Sequence, residues 1–194
     1  MKAAGTVLAS LLALLALQAL SQIPELPRMV DAHRYGLPNQ GSLELAVPPA
    51  WVDSVDQPED GGPPTIELHP REGAPFEVYL TPDWPEAPDG TAPDVETLRG
   101  TVLAAAERSR GQTVEETPEI RRLQGASGVG FYFLATDRAP QPDEFQFMNQ
   151  GALQVGDLTI LFTILTNEGQ EAVVEEAFAM LRSATYGASG VDQQ

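Results

Sequence analysis

Histidine is the scarcest reactive residue in this sequence. Only His33 and His69 occur, and cysteine is absent. Without cysteine there are no disulfides, no thiolate nucleophile and no sulfur-ligated zinc. The two histidines share no helical metal-binding spacing, so a His-based zinc or iron site is not expected. Ser127 in GASGVG and Ser189 in GASGV read as turn residues, not as nucleophiles on a strand-to-helix elbow. Gly125, Gly128 and Gly130 precede a strand instead of opening a helix, which argues against a phosphate cradle. The sequence therefore predicts no catalytic residue, no metal ligand set and no cofactor. Carboxylates are abundant: Asp83, Glu86, Asp89 and Asp94 along one loop, Asp56, Glu59 and Asp60 along another. Oxygen clusters can hold Ca²⁺, but the EF-hand spacing is missing, and Pro85, Pro88 and Pro93 interrupt the first run. A glycosidase-type pair would need two acids fixed across a cleft, which sequence cannot pair. A carboxylate-based hydrolase and a calcium-stabilised structural module stand as the alternative functions.

Three residues are candidates for binding. Trp84 sits among proline and acid in the loop TPDWPEAPDGTAP, where an exposed aromatic would make a contact point; otherwise it folds back and pins its own loop. Arg121 and Arg122 are adjacent on one strand and so point to opposite faces. One could line a groove; otherwise both pair with nearby acids or lie along the surface.

The elements that must position these residues are organised around Asp157 to Tyr186. In its first half Leu158, Ile160, Phe162 and Ile164 alternate with Thr159, Leu161, Thr163 and Leu165. That is a strand apolar on both faces, expected to be central and covered on both sides. Asn167 predicts a helix cap, with Gln170 reaching back as in a capping box. Val174, Ala177, Phe178 and Leu181, widened by Val173 and Met180, predict an amphipathic helix stopped by Gly187. Earlier, Leu43 to Val47, Trp51 to Val55, Ile66 to Leu68 and Phe76 to Leu80 read as short strands. Asp94 caps a helix whose inward stripe is Val95, Leu98, Val102 and Ala105, helped by Leu103 and Ala106, ending near Arg110. Ile120 to Leu123, Val129 to Thr136 and Phe145 to Val155 then form a meander, and the pair Gly156-Asp157 turns the chain into the organising strand. An α+β fold follows: an antiparallel sheet with helices packed on it, arranged as an α–β–α sandwich.

The expected domain plan is a signal peptide over 1–21, a linker or loosely packed arm over 22–41, a single α+β domain over 42–186 and a flexible tail over 187–194. Lys2, the apolar run Val7 to Leu17 and Ala19-Leu20-Ser21 have the layout of a secretory leader cleaved before Gln22. The alternative is an uncleaved anchor over Ala3 to Leu20. The formal net charge is −17 over 194 residues, and Lys2 is the only lysine. Removing the leader leaves 10 Arg against 28 Asp and Glu, or −18. That charge opposes nucleic acid and anionic membrane surfaces and permits a protein or small-ligand partner.

The order of elements also resembles a known family. A strand ends in Pro48-Pro49-Ala50-Trp51. Paired strands follow, then a helix entered through Pro93-Asp94, a meander, and a terminal strand–helix ending Leu181-Arg182-Ser183. This resembles the PsbP-like superfamily, which includes DcrB-like bacterial envelope proteins and type VI secretion-associated chaperones. The resemblance spans roughly residues 42–186 and implies an α–β–α sandwich and a non-enzymatic assembly or binding role. The secretion chaperones are cytoplasmic as a rule, which the leader does not fit. The sequence as a whole predicts an exported, soluble binding or assembly module of the bacterial cell envelope, periplasmic or secreted, without stable membrane insertion once the leader is removed.

Overall fold

The computed structural model describes residues 31–59, 61–84 and 92–188. The leader, Asp60, Glu86, Asp89 and Ser189 lie outside them. Ten strands and two helices follow one another: β1 (Asp31–Leu37), β2 (Gly41–Val47), β3 (Trp51–Asp56), β4 (Thr65–Pro70), β5 (Glu77–Asp83), α1 (Val95–Ser109), β6 (Arg121–Gln124), β7 (Val129–Thr136), β8 (Phe147–Val155), β9 (Leu158–Thr166), α2 (Glu171–Ser183) and β10 (Thr185–Gly187). They form an α+β fold with two antiparallel sheets, one of seven strands in the order β3-β4-β5-β9-β8-β7-β6 and one of three in the order β1-β2-β10.

The doubly apolar strand β9 is the middle strand of the larger sheet. It reaches β8 through the tight turn at Gly156, which has φ +61°, and pairs on its other side with β5. Leu158, Ile160, Phe162 and Ile164 are all buried on one face. They pack beneath α2, whose Ala177, Phe178, Met180 and Leu181 are buried, and beneath the small sheet through Leu43, Leu45 and Val47. The layer over that face is therefore mixed, one helix and one sheet, where helices alone were expected. The opposite face carries α1, which buries Leu98, Val102 and Ala106 on Phe131, Phe133, Ala135 and Ala152.

Coverage of that second face is partial. Leu161, on the α1 side of β9, is 40% exposed, and Val95 and Leu103 of α1 are exposed as well. A helix about 10 Å across spans about two strands at 4.8 Å spacing. Because α1 centres on β7 and β8, the expected double burial of β9 fails there, and the inward stripe of α1 is Leu98, Val102 and Ala106 without Val95.

Residues 31–37, expected in an arm, form β1, with Tyr35 and Leu37 buried in the main core. The reason is non-local: β1 pairs along its whole length with β2, Asp31 opposite Val47 through Leu37 opposite Gly41. Gly187 likewise ends β10, and α2 stops earlier, at Ser183. His33, expected in the arm, places Nδ1 3.1 Å from Asp53 Oδ1 on β3 and ties the two sheets together. Beside it the Tyr35 hydroxyl is fully hidden and makes no hydrogen bond of normal geometry. Burial first, then the neighbouring Asp53 carboxylate, raises its pKa above the ordinary phenol value.

The helix starts follow local chemistry. Asp94 Oδ1 accepts the Thr97 N–H at 2.7 Å, the expected cap of α1, and that bond lowers the Asp94 pKa. At α2 only half of the expected capping box forms. Gln170 Oε1 accepts the Asn167 N–H at 2.6 Å, but Asn167 Oδ1 accepts from the Gln146 N–H at 3.1 Å, away from the helix. Gly169, at φ +81°, turns the chain between the two, and the helix begins only at Glu171.

Candidate functional site

Strand alternation puts Arg121, Tyr132, Asn149 and Thr166 on the same face of the larger sheet. Their register confirms it: Arg121 is opposite Tyr132, Leu134 opposite Asn149, and Phe147 opposite Thr166. This is the face under α2, and at its β6 end the helix and the sheet diverge. The gap is a cleft of about 310 Å³. Its sheet wall is Tyr132, Leu134 and Phe147. Its helix wall is Val174 and Phe178, one turn apart, with Glu171 and Glu175, also one turn apart, at the mouth. Phe178 closes the back, its ring 4.5 Å from that of Tyr132 and 6.2 Å, edge-on, from Phe162. The Phe162 ring lies over Gly151, where an added Cβ would stand 2.7 Å from Phe162 Cζ and 2.2 Å from the Phe131 carbonyl oxygen. A side chain at 151 would push the aromatic floor out of place.

The polar groups of the cleft divide into engaged and free. Asn167 and Gln170 are engaged: beyond the bonds above, Gln170 Nε2 donates to the Pro75 carbonyl at 3.1 Å. Arg121 Nη2 lies 2.8 Å from Glu119 Oε2, an exposed pair of small net strength. Asn149 and Thr166 differ. They are 6% and 2% exposed, and neither side chain has a hydrogen-bond partner among the described residues. Neither has a fully hidden polar atom, so both open into the cleft. Water reaching the cleft can bond the amide and the hydroxyl, and a ligand that displaces that water must replace those bonds or forfeit about 1–3 kcal/mol. Two such groups beside the apolar part of the cleft are positioned to bond whatever enters it.

The sequence-selected residues are dispersed. Arg121 lines the cleft. Arg122, its neighbour, points to the other face and donates to Gln124 Oε1 at 3.4 Å. Trp84, just beyond β5, is half-buried and packs against the main core. Four strand spacings of about 4.8 Å put β5 about 19 Å across the sheet from β6, so Trp84 and Arg121 belong to different regions. Near Trp84, Asp83, Pro93, Leu98 and Thr159 line a shallow depression of about 320 Å³. A further groove of similar volume lies on the open part of the α1 face. Several of its polar groups are already engaged: Tyr79 Oη donates to Glu77 Oε2 at 2.6 Å, and Gln150 Nε2 to Thr163 Oγ1 at 3.3 Å. Among the described residues, no group of three or more His, Asp or Glu side chains is arranged to hold a metal, and no helix is long and apolar enough to cross a membrane.

Asn149 and Thr166 escaped sequence selection. A signal for Asn149 was present, since it is a polar residue in phase with the inward positions Leu153 and Val155 of its strand.

The architecture defines the chain as an α+β protein with a cleft between its terminal helix and its sheet. No protein-family model matches the sequence, and no curated protein matches it significantly. Among solved structures, it is similar to the solution structure of cyanobacterial PsbP (CyanoP) from Synechocystis sp. PCC 6803, at 11% identity over 84% of this chain and 96% of that one, with a TM-score of 0.47.

Proposed function

We propose that this protein is an exported, non-enzymatic binding module of the bacterial cell envelope, and that the cleft beneath α2 holds a small ligand. The observation that carries the cleft is the pair Asn149 and Thr166, whose polar groups open into it without a hydrogen-bond partner among the described residues, beside the apolar side chains of Tyr132, Leu134, Phe147, Val174 and Phe178. Ligand sites are concave and mostly apolar, with a few convergent polar groups, and this arrangement fits that description. Export is supported by Lys2, the apolar run from Val7 to Leu17 and the small-residue site at Ser21. A PsbP-like relationship with α–β–α layering is part of the same reading. It is supported by the element order and by the placement of one helix on each face of the larger sheet.

Two experiments test it. Expression of the full chain in a bacterium, followed by fractionation and intact mass measurement, should give a periplasmic or secreted species beginning at Gln22. A cytoplasmic species starting at Met1 would refute export. A small-molecule screen read by amide chemical shifts should produce a saturable response centred on Asn149, Thr166 and α2. Responses clustering elsewhere, or turnover of a screened compound, would refute the cleft or the non-enzymatic reading respectively.

A further inference from the structure

We infer that the cleft takes a zwitterionic dipeptide with an apolar side chain, an inference that rests on the cleft being a ligand seat. Four features of its walls point to this class. First, the free groups at the base are uncharged. Asn149 presents a carboxamide with one acceptor and two donors, and Thr166 a hydroxyl that donates and accepts. An Asn carboxamide can bond both the N–H and the C=O of a peptide group.

Second, the frame around that base is apolar and partly aromatic, formed by Tyr132, Leu134, Phe147, Val174 and Phe178. One aliphatic or aromatic side chain fits such a frame. A saccharide would set some of its hydroxyls against this hydrocarbon, where they lose their water.

Third, the charges lie on opposite walls. Arg121 is on the sheet wall at β6, and Glu171 and Glu175 are on the helix wall. The link from Arg121 to Glu119 is an exposed ion pair that a carboxylate can replace at little cost, because guanidinium offers several donors. Glu171 and Glu175 make no ion pair with any described residue, so a ligand ammonium would find them unengaged. A purely anionic ligand would meet two carboxylates and the field of a strongly acidic protein.

Fourth, about 310 Å³ is at the small end of the roughly 300–1,000 Å³ of ligand pockets, which limits the ligand to a short one.

The test is titration of the protein with defined probes, read by calorimetry and by amide shifts. The probes are Ala-Phe, Ala-Phe amide, N-acetyl-Ala-Phe, the doubly blocked N-acetyl-Phe amide, and N-acetylglucosamine. Ala-Phe should bind saturably, with shifts at Arg121, Asn149, Thr166 and Glu171. Blocking either terminus should weaken binding about tenfold. Arg121→Gln should weaken Ala-Phe about tenfold and leave Ala-Phe amide unchanged. The double variant Glu171→Gln/Glu175→Gln should do the same for Ala-Phe relative to N-acetyl-Ala-Phe. These residues are exposed, so the variants should fold. Asn149→Leu should abolish binding of every peptide probe. Equal binding of free and doubly blocked peptides would overturn the zwitterion, and binding of N-acetylglucosamine alone in the cleft would overturn the peptide; either leaves the ligand seat standing. If no probe shifts the cleft and Asn149→Leu only raises the melting temperature, water alone occupies it, and the ligand seat falls with the inference.

Discussion

Phe178 is the residue on which fold and cleft meet, and its removal tests both. The side chain is buried against Tyr132 and Phe162, and the Arg182 guanidinium carbon lies 5.8 Å from its ring centre. Truncating a buried Phe to Ala costs about 3–5 kcal/mol through lost transfer energy and the cavity left behind. At Phe178 the vacated space opens into the existing cleft and can fill with water, so Phe178→Ala should fall at the lower end, about 3 kcal/mol. Phe162 is sealed under α2 and over Gly151, so its vacancy would stay dry, and Phe162→Ala should fall at the upper end, about 4–5 kcal/mol. For a domain of this size each kcal/mol lowers the melting temperature by about 2–4 °C, giving about 6–12 °C for Phe178→Ala. The two rings meet edge-on, so a double-mutant cycle should return a coupling of about 0.5–1.5 kcal/mol. Guanidinium unfolding is the assay. Its probe is the tryptophan emission of Trp51, buried against Phe76 with ring centres 4.7 Å apart, and of the half-buried Trp84. Losses below about 1 kcal/mol at both positions would refute the packing of α2 on β9.

Further consequences can be measured with the same assay. Gly151→Ala should destabilise by about 1–3 kcal/mol, because its Cβ collides with the Phe131 carbonyl and the Phe162 ring; unchanged stability would show that β7 and β8 pair differently. Burial alone would raise the Glu115 pKa, but the Thr136 hydroxyl and N–H, at 2.7 and 2.8 Å, outweigh it and hold the carboxyl below its ordinary range. A folded pKa below the unfolded one adds stability above the unfolded value and loses it as pH falls through the folded one. Glu115→Ala should therefore flatten the acid limb of the stability profile and cost about 1–2 kcal/mol at neutral pH, the lower part of the range because the carboxylate is partly solvated. Tyr79 has the opposite sign. Its hydrogen bond to Glu77, aided by burial, raises the phenol to about 12. Its contribution should be complete below about pH 10 and fade as pH rises toward 12, and Tyr79→Phe should remove that component from an ultraviolet titration. Asn149→Leu, which replaces an unpartnered buried amide with an apolar side chain of similar size, should stabilise the ligand-free protein, and a loss above 1 kcal/mol would mean that Asn149 has a structural partner.

The sequence alone determined what depends on near neighbours. Period-2 alternation marked β9 as a central strand. Helical spacing marked Ala177, Phe178 and Leu181 as the buried stripe of the terminal helix, and Asp94 and Gly156 fixed a cap and a turn through bonds only a few residues long. Those features are properties of backbone geometry and local hydrogen bonding. Tertiary structure decided the rest. Tyr35 and Leu37 alternate with Arg34 and Gly36, yet β1 exists because β2 supplies its hydrogen bonds, and nothing local announces a second sheet. Leu161 is as apolar as its neighbours but remains exposed, because one helix can cover only part of a seven-stranded sheet. The cleft is the furthest from local: Arg121, Asn149, Thr166 and Glu171 come from β6, β8, β9 and α2. Only strand register and helix placement bring a strand-borne arginine, an amide, a hydroxyl and a helix-borne acid to one opening.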